Sequence, residues 1–168
     1  MEVKYSREMP WEGDGDEIEE FLTQCWGARF VVSRGKVTDA TKVPRIVARS
    51  GEGGLVGLAT YGIDEENRSC ELITIDAVLE RRGIGSRLIQ LVEEAAREKG
   101  CQRVWLITTN DNLEAAAFYA KRGYRLVAVH LDALERSREL KSGISKVGKH
   151  GIPIQDEWEF EKRVAEED

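Results

Sequence analysis

Apolar positions Ile84, Leu88, Leu91, Val92, Ala95 and Ala96 recur at helical spacing, and Gly100 follows where a left-handed cap ends a helix, so the pattern predicts a helix over 84–99. Ile18, Phe21, Leu22 and Cys25 predict another over 16–26, with Asp14 or Asp16 available to cap it. Residues 27–44 carry Gly27, Gly35 and Pro44 around the short patch Phe30-Val31-Val32 and read as irregular or only briefly structured; Arg34 in that stretch has no assignable role. Strands over 45–49 and 55–61 flank a glycine-rich turn as a hairpin, and the β-branched run 70–78 suits a buried central strand. A strand over 104–108, a helix over 112–122 closed by Gly123 and a strand over 124–130 make residues 70–130 an α/β core. Residues 131–141 can form a further helix, and 142–153 are expected to be a mobile loop holding Lys146, Lys149 and His150. Trp158 and Phe160 alternate with Glu157, Glu159 and Glu161, which predicts a strand over 155–160 with one solvated face, placed at a sheet edge. Residues 164–168 are expected to fray, and without repeats or linkers the whole of 1–168 reads as a single domain.

Composition narrows the function. The chain has 168 residues, 25 Lys+Arg against 31 Asp+Glu, and a net charge of −6, the wrong sign for a nucleic-acid partner. No apolar run approaches the ~18 residues of a membrane span, and the N-terminal stretch lacks the apolar core of an export signal, so a cytoplasmic protein without a membrane partner is expected. Cys25, Cys70 and Cys101 are widely spaced and read as small buried hydrophobes; with only His130 and His150 beside them, no metal site is expected.

Two elements carry candidate chemistry. The turn Arg81-Arg82-Gly83-Ile84-Gly85-Ser86 joins a strand to a helix, where glycines admit a ligand close to the backbone and unpaired amides with the helix dipole suit a pyrophosphate. It lacks the Lys of a Walker loop, and Leu88 stands where a dinucleotide fingerprint needs a third small residue. The second element places Asn112, Ala115 and Tyr119 on one helical face just beyond a strand end.

Together these elements resemble the GNAT superfamily of N-acetyltransferases. Gly83-Ile84-Gly85 match the glycines of its first signature, with Glu80 in the place of the leading Arg or Gln. Asn112, Ala115, Tyr119, Gly123 and Tyr124 match the second throughout. The resemblance implies a mixed α/β (α+β) fold with a mostly antiparallel central sheet, a strand–GxG–helix cofactor site and flanking helices. It implies acetyl-CoA as cosubstrate and no metal. The pyrophosphate would lie on Arg81, Arg82, Gly83, Ile84, Gly85 and Ser86, and the pantetheine on the backbone of Ile75, Asp76, Ala77 and Val78 and on Asn112, Ala115 and Tyr119. An acceptor amine, on a small molecule or a protein, would attack the thioester directly while Tyr119 protonates the leaving thiolate. Glu71 is the candidate base. Simple alternation puts Asp76 on the opposite strand face, a count that a bulge would change. Tyr61, His130 and the 142–153 loop are candidates for the acceptor side. The negative charge favours a cationic amine, and the enzyme is expected as a monomer or homodimer. Two other readings remain: a GNAT-like module that binds acyl-CoA without catalysis and acts through a partner, and a different nucleotide-binding α/β enzyme.

Overall fold

The structure is a computed structural model that describes residues 2–13, 15–78 and 83–165. In chain order its elements are β1 (Val3–Glu8), α1 (Gly15–Trp26), β2 (Phe30–Ser33), β3 (Lys36–Asp39), β4 (Arg45–Ser50), β5 (Leu55–Asp64), β6 (Ser69–Ala77), α2 (Ile84–Glu98), β7 (Arg103–Thr109), α3 (Leu113–Lys121), β8 (Arg125–His130), α4 (Ala133–Leu140) and β9 (Glu157–Arg163). They fall into two units, Met1–Val31 with Asp39–Val104 and Val164–Asp168, and Val32–Thr38 with Trp105–Arg163.

In the first unit the strand order is β1-β4-β5-β6, antiparallel throughout. On one face α1 buries Ile18, Phe21 and Leu22 against Ala40, Val47 and Leu58. Asp16 sits inside the first turn of α1, while Asp14 lies outside the described residues. On the other face α2 buries Ile84, Leu88, Ile89, Val92, Ala95 and Ala96; Ile89 completes the stripe where the spacing had put Leu91, which is half-buried. Gly100, at φ +76°, ends α2 in the left-handed conformation as the sequence predicts. β1 escapes hydrophobic patterning because Val-Lys-Tyr-Ser-Arg-Glu is an edge strand with half its positions exposed and none buried.

The short hairpin β2/β3 turns through Arg34 and Gly35, both at positive φ (51° and 71°), so the stretch read as irregular or only briefly structured holds two four-residue strands and Arg34 gains a role in their turn.

In the second unit the order is β7-β9-β8, with β8 and β9 antiparallel. β9 is therefore an interior strand, and the edge is β8. The expected solvated glutamate face fails with it: Glu157 is buried, accepting the backbone N–H of Arg34 at 3.1 Å, and burial raises its pKa against the opposing pull of that hydrogen bond and charge. Phe160 is buried as well. Three residues apart, the two point to opposite faces, so both faces of β9 are covered.

Packing in the first unit is close at Gly57 on β5. A Cβ there would stand 2.7 Å from the Ile84 side chain and 3.2 Å from Leu88, the residues that start α2. Gly57→Ala is expected to lower stability by about 1–3 kcal/mol through overpacking. Chemical denaturation checks this, and an unchanged midpoint would show that α2 does not rest on β5.

Candidate functional site

The geometry of β6 turns on one residue. Thr60 pairs with Thr74 but Tyr61 with Leu72, so Ile73 is an extra residue, a bulge in β6. Cross-strand partners share a face and successive residues alternate, so Thr60 and Thr74 face α1 while Tyr61 and Leu72 face α2. Counted through the bulge, Glu71, opposite Gly62, joins the α1 face. Asp76, opposite Leu58, is on that face too. The alternation count that separated the two carboxylates is corrected: they share one face.

On that face the indole N–H of Trp26, the last residue of α1, donates to Asp76 Oδ2. Burial is the main influence on this carboxyl and lifts its pKa from 3.8 to about 6; the indole hydrogen bond pulls the other way. Alongside run Glu8, Arg45, Thr60 and Thr74, one residue from each of the four strands. Arg45 is fully buried and donates through Nε to Glu8 at 3.1 Å, and the Thr60 and Thr74 hydroxyls lie 2.7 Å apart.

Toward its C-terminal end β6 offers backbone. The N–H of Val78 bonds Val56 O at 3.0 Å, so by ladder alternation Ile75 and Ala77 turn their N–H and C=O groups to the edge away from β5. Arg81 and Arg82, with Glu80, lie outside the described residues. Gly83 follows at φ +69°, a left-handed start to α2 that favours glycine, and the first intrahelical bond runs from Arg87 N to Gly83 O at 3.0 Å. The amides of Ile84, Gly85 and Ser86 thus belong to the first turn, where a helix has no internal acceptors. Arg87 lies 3.7 Å from Glu94.

The second unit holds the other motif residues. Asn112 caps α3, its Oδ1 accepting Ala115 N at 3.2 Å and Lys149 Nζ at 3.3 Å. Tyr119, 7% exposed, lies edge-on to Phe118 and Tyr124 with centroids at 5.2 and 5.7 Å, and 6.1 Å from Phe160. Asp111, which sequence reasoning missed, is buried and accepts Thr109 Oγ1 at 2.5 Å and Lys149 N at 3.0 Å. Asn110 accepts Gln155 N and Asp156 N and donates to Pro153 O at 2.9 Å, so the loop expected to be mobile is tied at its end to the β7–α3 junction.

The model of the acetyltransferase (GNAT) family matches residues 7–124. The chain belongs to this family. The acetyltransferase is also 40% identical over 147 residues, 88% of its length and 91% of the relative's, to the uncharacterised protein YdhI of Bacillus subtilis strain 168. Its fold is similar to that of an IAA acetyltransferase from Bacillus cereus ATCC 14579 (TM-score 0.69, 18% identity, 96% of this chain and 99% of that one). A Bacillus subtilis acetyltransferase in complex with CoA is equally similar (TM-score 0.68, 17% identity, 95% and 99%). The fold class is the mixed α/β one, with a mostly antiparallel central sheet and flanking helices.

Other candidates in the acetyltransferase fare unevenly. Tyr61 is buried on the α2 face, away from the two carboxylates, and burial raises its pKa. His130 Nε2 sits 3.1 Å from Glu159, and His150 Nε2 2.5 Å from Glu114. Cys70 and Cys101 are buried as expected, Cys70 with its thiol pushed up to about 12 by burial, but Cys25 is exposed near the end of α1. Among the described residues no three His, Cys, Asp or Glu groups are placed to hold a metal ion, and no helix is long and apolar enough to cross a membrane. Trp26 was missed because its partner is 50 residues away and nothing in its neighbourhood marks it.

The Asp76 carboxyl makes stability depend on pH. Below about pH 4 it is protonated both folded and unfolded; between there and about pH 6 the unfolded chain gives up the proton first; above pH 6 the buried charge costs its full amount. Asp76→Asn is therefore expected to be more stable than wild type by up to about 3 kcal/mol at pH 7.5, with the gap closing near pH 4. Melting temperatures at the two pH values check this, and an equal gap at both would sink the assignment.

Proposed function

We propose that this acetyltransferase moves the acetyl group of acetyl-CoA to a primary amine by direct attack, with Tyr119 as general acid. The observation that carries the reading is the start of α2. Left-handed Gly83 presents the first-turn amides of Ile84, Gly85 and Ser86 together with the helix dipole, which suits the cofactor pyrophosphate, and Arg81 and Arg82 would add charge. The outward-turned backbone of Ile75 and Ala77, within the segment Ile75 to Val78, suits the amides of the pantetheine arm, with Asn112, Ala115 and Tyr119 as its further partners. The similar structure that contains CoA supports this choice of cofactor.

In the reaction the amine nitrogen bonds the thioester carbon, the C–S bond breaks, and the thiolate takes the phenol proton of Tyr119. The amine's own proton leaves toward the face of β6 that carries both Glu71, the candidate base of the resemblance, and Asp76. The acceptor is an amine on a small molecule or a protein, drawn by the net negative charge. We read 1–168 as one working domain, since the family match over residues 7–124 spans most of the first unit and extends into the second, acting in the cytoplasm as a monomer or homodimer.

Melting temperatures with acetyl-CoA, CoA, ATP and NAD in parallel test the cofactor: stabilisation by the two CoA ligands alone is expected. A shift with ATP or NAD instead would replace the reading with a nucleotide-binding enzyme. For the mechanism, Tyr119→Phe is expected to keep acetyl-CoA affinity and lose about 10²–10⁴-fold in turnover. Unchanged turnover removes the acid role, and CoA binding by a wild type that releases no thiol with any amine would favour a binding module acting through a partner.

A further inference from the structure

We infer that Asp76, held in place by Trp26, is the carboxylate that takes the proton of the acceptor amine, and that Trp26 is a positioning residue acting through it. The inference rests on the proposed reading of Ile75 to Val78 as the backbone that holds the pantetheine arm and, with it, the thioester oxygen. Asp76 belongs to that segment: its neighbours Ile75 and Ala77 turn backbone groups to the edge away from β5, while its own side chain points to the α1 face. Glu71 shares the face but lies four ladder steps back, roughly 13 Å along the strand at about 3.3 Å per residue. A group that accepts a proton from the attacking nitrogen must stand within hydrogen-bond reach of it, directly or through one water, and that distance favours Asp76.

Trp26 supplies the orientation. Its indole N–H, a donor with no acceptor function, holds Asp76 Oδ2 and leaves Oδ1 to face a nucleophile. Because Trp26 is the last residue of α1, packing of Ile18, Phe21 and Leu22 fixes where the indole can stand. Among the described residues the other groups facing Asp76 are few. From α1 comes the Cys25 thiol, its pKa raised by burial and then by the Asp76 charge. β5 presents Leu58 and Thr60, β6 itself presents Glu71 and Thr74, and one ladder row away on β4 Arg45 is engaged with Glu8. Protonated, Asp76 cannot take the amine proton; ionised, it takes that proton as the C–N bond forms and returns it to solvent after the thiol departs.

The test uses the full chain with acetyl-CoA and, as probes, n-butylamine, 1,4-diaminobutane and lysine amide, scoring thiol release and carrying forward the fastest. No release from any of them removes the transferase reading itself, and this inference with it. With an active probe, kcat at saturating substrates is followed against pH in wild type, Asp76→Asn, Glu71→Gln and Trp26→Phe. Wild type is expected to lose activity below about pH 6. Asp76→Asn should lose about 10²–10⁴-fold and the acid limb, and Glu71→Gln should keep the limb. Trp26→Phe should keep its KM for acetyl-CoA while the limb moves to higher pH, because the lost donor had favoured the charged carboxylate. In parallel, the Trp26 indole ¹⁵N–¹H resonance of the free enzyme should titrate with the same midpoint and stop titrating in Asp76→Asn, a readout that needs neither amine nor cofactor. A limb abolished by Glu71→Gln, an Asp76→Asn enzyme within threefold of wild type, or a folded Trp26→Phe enzyme with an unmoved limb overturns the assignment while leaving the transferase reading intact.

Discussion

One extra residue at Ile73 decides which way each half of β6 points. A strand with strict alternation could not send Thr74 and Asp76 toward α1 and also send Cys70 and Leu72 toward α2, because all four have the same parity. Without the bulge, Glu71 would turn beneath α2, where an unpaired carboxylate costs several kcal/mol, while Leu72 and Cys70 would leave that apolar layer. With it, Cys70 and Leu72 are buried and both acidic residues face α1. The strand thus keeps an apolar core on one side and concentrates acidic groups on the other.

The two faces of the first unit do different work. Under α2 the contacts are apolar and close, close enough that β5 needs a glycine at Gly57. Under α1 the apolar cluster of Ile18, Phe21, Leu22, Val47 and Leu58 has Asp76 in its row, opposite Leu58, and gives way along the strands to Glu8, Arg45, Thr60 and Thr74, then to Glu71. A buried ion pair such as Arg45–Glu8 adds little net stability, since desolvating both charges offsets most of their attraction, and Arg45 Nη1 is left without a hydrogen-bond partner. Asp76 is stabilised least of all: its burial disfavours the very charge that the proposed role requires. The α1 face thus carries an apolar cluster and the unfavourable burial of a carboxylate side by side.

What the sequence made legible follows from how local each signal is. The helix at Ile84–Glu98 and the hairpin of β4 and β5 are written in periodicity and glycine placement within a short stretch, and the structure has them within a few residues of expectation. The Gly83 turn and the Asn112 to Tyr119 face were legible as a pair of motifs, because each needs particular residue types at fixed spacing. The misses share another cause. β9 has the alternation of a half-solvated strand, yet its position between β7 and β8 was set by chain topology, which turned Glu157 inward to the Arg34 amide. The bulge leaves no compositional trace, since Ile73 is as good a strand residue as its neighbours. Trp26 and Asp76 meet across 50 residues, and Asp111 acts on the backbone of Lys149; neither contact has a local pattern to read.

Asn112 shows why a structural and a functional reading of one residue need not compete. Its Oδ1 is spent on the fold, accepting the Ala115 amide that opens α3 and the Lys149 ammonium. A carbonyl oxygen has two lone pairs, and these two donors fill them. Serine or aspartate would cap the helix comparably. Only an amide, however, keeps a pair of N–H donors on the same rigid group after its oxygen is committed. Those donors are what a carbonyl of the pantetheine arm needs in the proposed reading. The cap fixes the rotamer that aims them, so the bond that starts the helix also orders, before any ligand arrives, the contact that would receive it.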